Sequence, residues 1–575
     1  MKQDRTRLLF LAGSLALLFS ALILRFFQIQ ILEGEKWTQE ALAQHQHILI
    51  EPFMRGSFYS NTSIKKGHPE EEQPFVIDIP MFHLHIDPDS IPPSLRTPMA
   101  AALFQRLGFT QDQAKKMRGE FDKKSRDRKI AMWLNRQKRK EIETWWSEFC
   151  KKEKLVRNAL FFTRDYKRSY PFGAMLGTVL HTVQAEKDPQ TLQALPTGGL
   201  EMLLNGYLKG KIGKRKIIRS PRHPIDSGTL LEAPEHGADI FLTINHYLQA
   251  IVEAELAKGV KAVGGKGGWA VMMDPYTGEI LALAQTPSFD PGHYADYFNR
   301  PELLEYTHVK AVTDCFEPGS IMKPITLAIC MRANEELVKA GKKPIFSPEE
   351  KLATSNGWFP GRSHPLKDGR THRFLNMDLG LQKSSNIYMA CLIHRVIDTL
   401  GEEWYRKMLQ DLFGFGAKTN IELPAESGGL LPTPGKLHPN GKLEWSVPTP
   451  YSLAIGHNIL VNSIQVVKAY GVLANGGYAV EPHLIRKIVK KKSDGKKEIL
   501  RDNTSYRVNQ RLLNESSVRA LVRAMKYVTK EGGSAKRADI PGYTEAGKSG
   551  TAEKVIDGVA QRAPGTPAVA DAARL

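Results

Sequence analysis

The chain has 575 residues, which is enough for two or more domains, and its 42% hydrophobic and 9% aromatic content is ordinary for globular folds. Lys and Arg number 80 against 61 Asp and Glu, a formal net charge of +19. The four cysteines show no C-x-x-C or metal-ligand spacing, so we expect buried, unpaired thiols and no metal site, with a disulfide as the alternative: Cys150, Cys315, Cys330 and Cys391.

The positive charge is concentrated in residues 115–154, 209–222 and 486–501. None of these runs carries a nucleic-acid fold signature. We therefore interpret them first as a solvated basic surface and second as a surface that attracts anionic lipid or acidic wall polymer. Nucleic acid is the least favoured partner.

The N-terminus has the pattern of a signal anchor. Residues 1–7 include Lys2, Arg5 and Arg7, and residues 8–24 form an uncharged, mostly apolar run. If Arg25 snorkels, the run extends to residue 32 and is long enough to span a bilayer. The flanking positive charge predicts that residues 1–7 lie in the cytoplasm and that the rest of the chain lies outside it. A cleaved signal peptide is the alternative, but no small-x-small site follows the apolar run.

Residues 33–235 contain no paired carboxylates in a context typical of a glycosyltransferase. Beyond them, residues 269–284 alternate around the turn segment 274–278 and predict a β-hairpin. Helical patterns follow at 320–333, 374–400 and 462–474, and Lys548 lies in an apparent strand. Strands at both ends with helices between them predict an α+β domain, with helices packed on an antiparallel sheet.

The segment around Ser320 has the residues of a nucleophile with its own base. Pro318 and Gly319 predict a turn, and Ser320 then lies near the start of the next helix. A helix N-terminus favours negative charge on an attacking oxygen, and Lys323 lies about one turn further on the same face. A lone S-x-x-K is weak evidence, since residues 63–66 and 493–496 match it too.

Two further motifs strengthen the signal. Ser384-Ser385-Asn386 supplies a second hydroxyl and an amide, and Lys548-Ser549-Gly550-Thr551 supplies a second cation beside a glycine that permits close approach. The order S-x-x-K, S-x-N and K-[ST]-G is the motif set of serine β-lactamases and penicillin-binding proteins.

With these motifs the chain resembles a class B penicillin-binding protein, most of all the septal peptidoglycan D,D-transpeptidase. The resemblance is close over about 235–554 and looser before 165, and it includes the phrases at 240–249, 273–282, 413–416, 454–457 and 474–477. It implies a non-catalytic pedestal domain at 33–235 and a transpeptidase domain at 236–554. The choice of the septal branch rests on residues 313–317.

The resemblance also implies roles for eight residues, five catalytic and three in substrate binding: Ser320, Lys323, Ser384, Asn386 and Lys548, and Ser549, Gly550 and Thr551. Ser320 would be the acylated nucleophile and Lys323 its base. Ser384 would relay the proton to the leaving amine, Asn386 would hold Lys323 and the substrate amide, and Lys548 would bind the substrate carboxylate. No cofactor is implied.

Residues 555–575 depart from the family pattern. Members of the family continue with further strands and a helix, whereas this segment is rich in Ala, Pro and Gly without strand alternation from Val559 onward. We expect a disordered or truncated tail. An unfinished sheet would leave the strand of Lys548 as an exposed edge.

The expected function is cross-linking of peptidoglycan stem peptides in septal wall synthesis, with β-lactams as inhibitors and divisome membrane proteins as partners. The alternatives are an elongation-type transpeptidase and a catalytically impaired, membrane-anchored division scaffold. A serine β-lactamase would not need a pedestal or an anchor. A β-lactam sensor would need a cytoplasmic signalling part, for which seven residues leave no room.

Overall fold

A computed structural model describes residues 2–37, 46–61, 73–218, 228–437, 440–492, 494–552, 554–556 and 559–561. Within these ranges, Arg5–Leu32 is the one helical stretch long and apolar enough to cross a membrane, with a mean hydropathy of 2.2 over its most apolar window. Its 28 residues exceed the roughly 20 that a bilayer core requires. The stretch is consistent with a single-pass anchor.

The first part of the chain, up to Leu242, combines short helices with long antiparallel strands. Its helices are α1 Lys2–Phe27, α2 Pro93–Leu107, α3 Gln111–Phe121, α4 Arg136–Glu153, α5 Gly177–Leu180, α6 Gly199–Leu203 and α7 Asn205–Leu208. Its strands are β1 Gln46–Glu51, β2 Phe58–Tyr59, β3 Pro74–Ile86, β4 Arg128–Leu134, β5 Leu160–Ser169, β6 Val183–Lys187, β7 Ala194–Pro196, β8 Gly213–Ile218, β9 Gly228–Glu232 and β10 Asp239–Leu242.

The second part begins at His246 and holds the three motifs. Its helices are α8 His246–Ala262, α9 Tyr294–Phe298, α10 Lys310–Thr313, α11 Lys323–Lys339, α12 Met377–Gln382, α13 Asn386–Leu400, α14 Glu402–Asp411, α15 Thr449–Leu453, α16 Ser463–Ala474 and α17 Glu515–Thr529. Its strands are β11 Gly268–Met273, β12 Ile280–Thr286, β13 Leu352–Ala353, β14 Phe374–Leu375, β15 Ile485–Lys491, β16 Lys497–Asp502, β17 Lys554–Ile556 and β18 Val559–Gln561.

A seven-stranded sheet joins the two parts. Its strand order is β16-β15-β10-β2-β3-β4, and β5 also pairs with β3, in register from Ile77 opposite Ser169 to Ile86 opposite Leu160. Strands β15 and β16 therefore extend a sheet whose other members all precede residue 243. The domain boundary near residue 235 stays a prediction, and the shared sheet couples the segments on either side of it.

The predicted hairpin is confirmed as β11 and β12, in antiparallel register from Gly268 opposite Thr286. The turn forms because Asp274 Oδ1 accepts the backbone N–H of Tyr276 and Gly278 adopts φ +80°. Alternate residues of β11 face different cores. Trp269, Val271 and Met273 pack on a core that includes Ile464 of α16, whereas Ala270 and Met272 face α8. Helices thus cover the hairpin, as expected of the predicted α+β fold.

The largest apolar core lies chiefly between α11 and α13, which carry residues of the first two motifs, and α17. The predicted continuous helix over 374–400 is wrong. Phe374 and Leu375 form β14, and α12 and α13 are separated by Lys383, Ser384 and Ser385. The helix stops there because Ser384 adopts the left-handed φ of +54°, which an α-helix cannot continue.

The predicted strand around Lys548 is also wrong. Within residues 544–552 only Gly550 forms a β-bridge, so the segment is positioned by packing against the turn at 318–321 and not by a backbone ladder. Beyond it β17 and β18 pair as a short hairpin. Residues 562–575, which make up most of the predicted tail, lie outside the described residues.

Candidate active site

Ser320 lies in a single turn of 3₁₀ helix, Gly319–Met322, that leads directly into α11. Backbone hydrogen bonds on both sides hold this turn in place. Phe316 and Val461 exchange N–H···O bonds of 3.0 Å, and Gly319 N–H donates to the Gly456 carbonyl at 3.0 Å. Ser320 is half-buried, and its hydroxyl forms no hydrogen bond with any residue in the described ranges. The hydroxyl is therefore available to an incoming group at a helix start, as predicted.

Lys323 begins α11 and is completely buried. Its Nζ donates to the Ser384 carbonyl at 2.5 Å and to Ser384 Oγ at 3.0 Å. Burial, and secondarily the nearby Lys548 cation, hold the pKa of Lys323 well below its ordinary value. A neutral amine in this position can accept a proton, which an exposed lysine near pH 7 cannot.

The second motif is a tight turn at the start of α13. Ser384 presents both its oxygens to Lys323 from the left-handed conformation. Ser385 caps α13, because its hydroxyl accepts the Tyr388 N–H at 3.0 Å. Asn386 directs Nδ2 to the Lys367 carbonyl at 2.8 Å and forms no hydrogen bond to Lys323 within the described part of the chain. Its predicted hold on Lys323 stays a prediction.

Asp368 is a functional candidate that the sequence did not reveal. Its carboxylate accepts hydrogen bonds from Ser385 Oγ at 2.5 Å, Asn386 N at 2.6 Å and Ile387 N at 3.1 Å. It lies in the loop before β14, so no helical or strand spacing relates it to the S-S-N motif. Only the folded chain brings it there.

Lys548 is the second buried lysine of the site, and its side chain is almost inaccessible to solvent. Its Nζ donates to the Ser549 carbonyl at 2.8 Å. Burial lowers the pKa of Lys548 to about 7. Ser549 is half-buried, with Oγ 3.3 Å from Ser534 Oγ, and Thr551 is exposed.

Two glycines allow the third motif to approach the first. A Cβ on Gly550 would lie 2.8 Å from Ile321 Cγ2, and a Cβ on Gly319 would lie 2.4 Å from the Thr551 carbonyl oxygen. Gly319 also has φ +54°, which favours glycine. The backbone of Gly319 therefore lies directly against the backbone of Thr551.

The fold thus brings together all three motifs. Lys323 bonds Ser384, Gly550 packs on the Ser320 turn, and Lys548 acts electrostatically on Lys323. A hydroxyl at a helix start, followed one turn later by a buried amine of lowered pKa and with a second buried lysine nearby, is an arrangement suited to acyl transfer on an anionic substrate.

Residues 268–566 match the penicillin-binding protein transpeptidase domain, which is more than half of the chain. The chain belongs to this family. Together with the similarity to FtsI-named transpeptidases, the match identifies a class B penicillin-binding protein with the mixed α+β transpeptidase fold.

Several curated relatives are similar to this class B protein. A probable peptidoglycan D,D-transpeptidase PbpC of Pseudomonas aeruginosa is 30% identical over 68% of this chain and 60% of its own length. A probable peptidoglycan D,D-transpeptidase PenA of Neisseria meningitidis is 27% identical over 82% and 71%, respectively. The peptidoglycan D,D-transpeptidase FtsI of Escherichia coli is 27% identical over 72% of this chain and 61% of its own length. The chain thus spans less than two thirds of the length of two of these relatives, PbpC and FtsI.

Solved structures show the same fold at lower identity. Penicillin Binding Protein 2X from Streptococcus thermophilus aligns with a TM-score of 0.65 and 17% identity over 90% of this chain and 73% of its own. A peptidoglycan synthetase from Bifidobacterium adolescentis aligns with a TM-score of 0.60 and 20% identity, over 89% and 86%. Both alignments extend well beyond the transpeptidase domain.

Proposed function

We propose that this protein is a serine D,D-transpeptidase that cross-links peptidoglycan stem peptides through an acyl-enzyme on Ser320. The observation that carries the proposal is the buried Lys323 amine, held by Ser384 one helical turn from the Ser320 hydroxyl. Serine is a weak nucleophile until a base takes its proton, and burial keeps this amine in the form that can do so.

In the acylation step, Ser320 Oγ attacks the carbonyl carbon of the penultimate D-alanine while its proton passes to Lys323 Nζ. The negative charge that develops on the carbonyl oxygen is stabilised by the backbone N–H groups of Ser320 and Thr551, at roughly 3 kcal/mol per donor. The peptide C–N bond then breaks. The departing D-alanine amine takes the proton from Lys323 through the Ser384 hydroxyl, which already accepts a hydrogen bond from that lysine.

In the second step, the amine of a neighbouring stem peptide attacks the ester. It loses one proton to the same lysine and serine pair, and the Ser320 hydroxyl is restored as the new peptide bond forms. Asn386 is proposed to hold the substrate amide. Its Oδ1 forms no hydrogen bond within the described residues, which leaves an acceptor for that purpose.

Lys548 supplies the charge that selects a substrate with a terminal carboxylate, and Ser549 and Thr551 supply hydroxyls beside it. An arriving carboxylate would favour the protonated form of Lys548, whose pKa is lowered to about 7 by burial. The bicyclic acid of a β-lactam presents a comparable carboxylate, so such compounds are expected to acylate Ser320.

The cellular role that we propose is septal wall synthesis at the cytoplasmic membrane. The apolar helix Arg5–Leu32 supports a single-pass anchor, and the positive charges at Lys2, Arg5 and Arg7 favour a cytoplasmic N-terminus. The septal assignment is supported by the resemblance at residues 313–317, and it implies membrane proteins of the division machinery as partners.

The test is turnover of a synthetic pentapeptide that ends in D-alanyl-D-alanine, with a D-amino acid as acceptor and the full chain in detergent. Release of D-alanine together with the exchanged peptide is expected from the wild type and not from Ser320→Ala. Release of D-alanine with only the hydrolysed tetrapeptide would indicate a carboxypeptidase. No release would contradict the proposed activity.

A further inference from the structure

Asp368 binds the first residues of α13 more closely than an ordinary surface carboxylate does. One oxygen accepts the backbone N–H groups of Asn386 and Ile387, and the other accepts the Ser385 hydroxyl, all within 3.1 Å. The Ser385 hydroxyl in turn accepts the Tyr388 N–H. These bonds stabilise a helix start, since negative charge and acceptors satisfy its free N–H groups.

The residue that precedes this anchored start is Ser384, whose left-handed φ of +54° is strained for a residue with a side chain. That conformation places both the carbonyl and the hydroxyl of Ser384 on Lys323 Nζ. A strained turn persists only when its surroundings hold it in place. On its other side, Lys383 Nζ donates to the Gly532 carbonyl at 2.9 Å.

We propose that Asp368 is a positioning residue for acylation, which holds the Ser384 turn against Lys323 through its hydrogen bonds to Ser385, Asn386 and Ile387. This inference rests on the proposed function. It assigns Asp368 no contact with the substrate and adds a role to a residue that lies outside the three motifs.

Asp368 also faces the buried charges of the site. Its carboxylate opposes the effects of burial and of Lys548 on the pKa of Lys323, and it adds to the effect of burial, which raises the pKa of the Cys391 thiol in α13. Geometry and charge can be separated by substitution. Asparagine keeps an oxygen for the two backbone N–H groups and places an amide beside Ser385 Oγ, whereas alanine removes every contact.

The experiment measures the second-order rate constant for labelling of the full chain in detergent by a fluorescent penicillin, per folded molecule, from pH 5 to 9. The variants are Asp368→Ala and Asp368→Asn. Glu426→Ala is the matched control, because the buried Glu426 carboxylate also accepts three hydrogen bonds, from Thr419 N and Oγ1 and from Asn420 N, outside the motifs.

We expect Asp368→Ala to label about 100-fold more slowly than the wild type, the order of loss that a misplacement of about 1 Å produces. Asp368→Asn should keep most of the wild-type rate, and the acid limb of its pH profile should move to lower pH, because the carboxylate no longer favours the Lys323 ammonium. Glu426→Ala should lose stability but label at the wild-type rate once corrected for folded protein.

Two results would overturn the positioning role while the wild type still labels: an Asp368→Ala rate equal to that of Glu426→Ala, or an Asp368→Asn rate as low as that of Asp368→Ala. Absence of labelling in the wild type would instead contradict the proposed function, and the positioning role with it.

Discussion

The close approach of Gly319 to Thr551 can be tested with a single methyl group. A Cβ at position 319 would lie 2.4 Å from the Thr551 carbonyl oxygen, and ordinary contacts begin at 3.4 Å, so the K-S-G segment must retreat by about 1 Å in Gly319→Ala. The retreat separates the N–H groups of Ser320 and Thr551. Misplacement of this size can cost about 100-fold in rate, so we expect labelling by a fluorescent penicillin to slow by that order.

The alanine also adds strain, because φ is +54° at Gly319 and a left-handed residue with a side chain costs roughly 1–2 kcal/mol. Gly341→Ala is the matched control, since Gly341 has φ +70° but no atom within 4 Å of an added Cβ. Both variants should lose stability in urea unfolding through this strain, and Gly319→Ala should lose more because its methyl group also clashes with Thr551. Only Gly319→Ala should label slowly, and equal labelling rates for the two would refute the role of the close approach.

Two further predictions concern buried charge. In Lys548→Met the pH dependence of stability should flatten: burial lowers the pKa of Lys548 to about 7 from its ordinary value of 10.5, so between these pH values the unfolded state binds more protons and wild-type stability rises with pH. Thermal unfolding midpoints of both proteins from pH 7 to 10 measure this difference. Parallel pH curves for the wild type and Lys548→Met would contradict the prediction. Glu201→Ala should destabilise by about 3–5 kcal/mol in urea unfolding, because Glu201 is fully buried and its loss leaves Arg55 without its ion-pair partner and Arg168 with only Asp78. Glu235 pairs with Lys211 at an exposed site, so Glu235→Ala should cost less than about 1 kcal/mol. Equal losses of stability in Glu201→Ala and Glu235→Ala would show that burial is not decisive.

The parts of the fold that follow from local pattern could be predicted from the sequence. The hairpin β11–β12 has a turn set by Asp274 and Gly278, and α16 begins and ends at Asn462 and Asn475 as expected. The order of the three motifs was likewise sufficient to select residues that the fold brings together around Lys323. Predicting these features required no knowledge of long-range contacts, because local chemistry and motif order determine them.

The errors occur where long-range contacts decide the local structure. Residues 383–385 interrupt the apolar helical pattern because Asp368, from another loop, caps a new helix at Asn386. The segment of Lys548 lies against the Ser320 turn without forming a strand. The pairing of β15 with β10, more than 240 residues earlier in the chain, is equally invisible to periodicity.

The central claim, an acylating serine at position 320, is tested most directly by intact-protein mass spectrometry after incubation of the full chain with benzylpenicillin, followed by peptide mapping. The account predicts one covalent adduct with the mass of the whole antibiotic, located on the peptide that contains Ser320 and absent from Ser320→Ala. An adduct on another residue, an adduct that survives in Ser320→Ala, or no adduct on the folded wild type would contradict it.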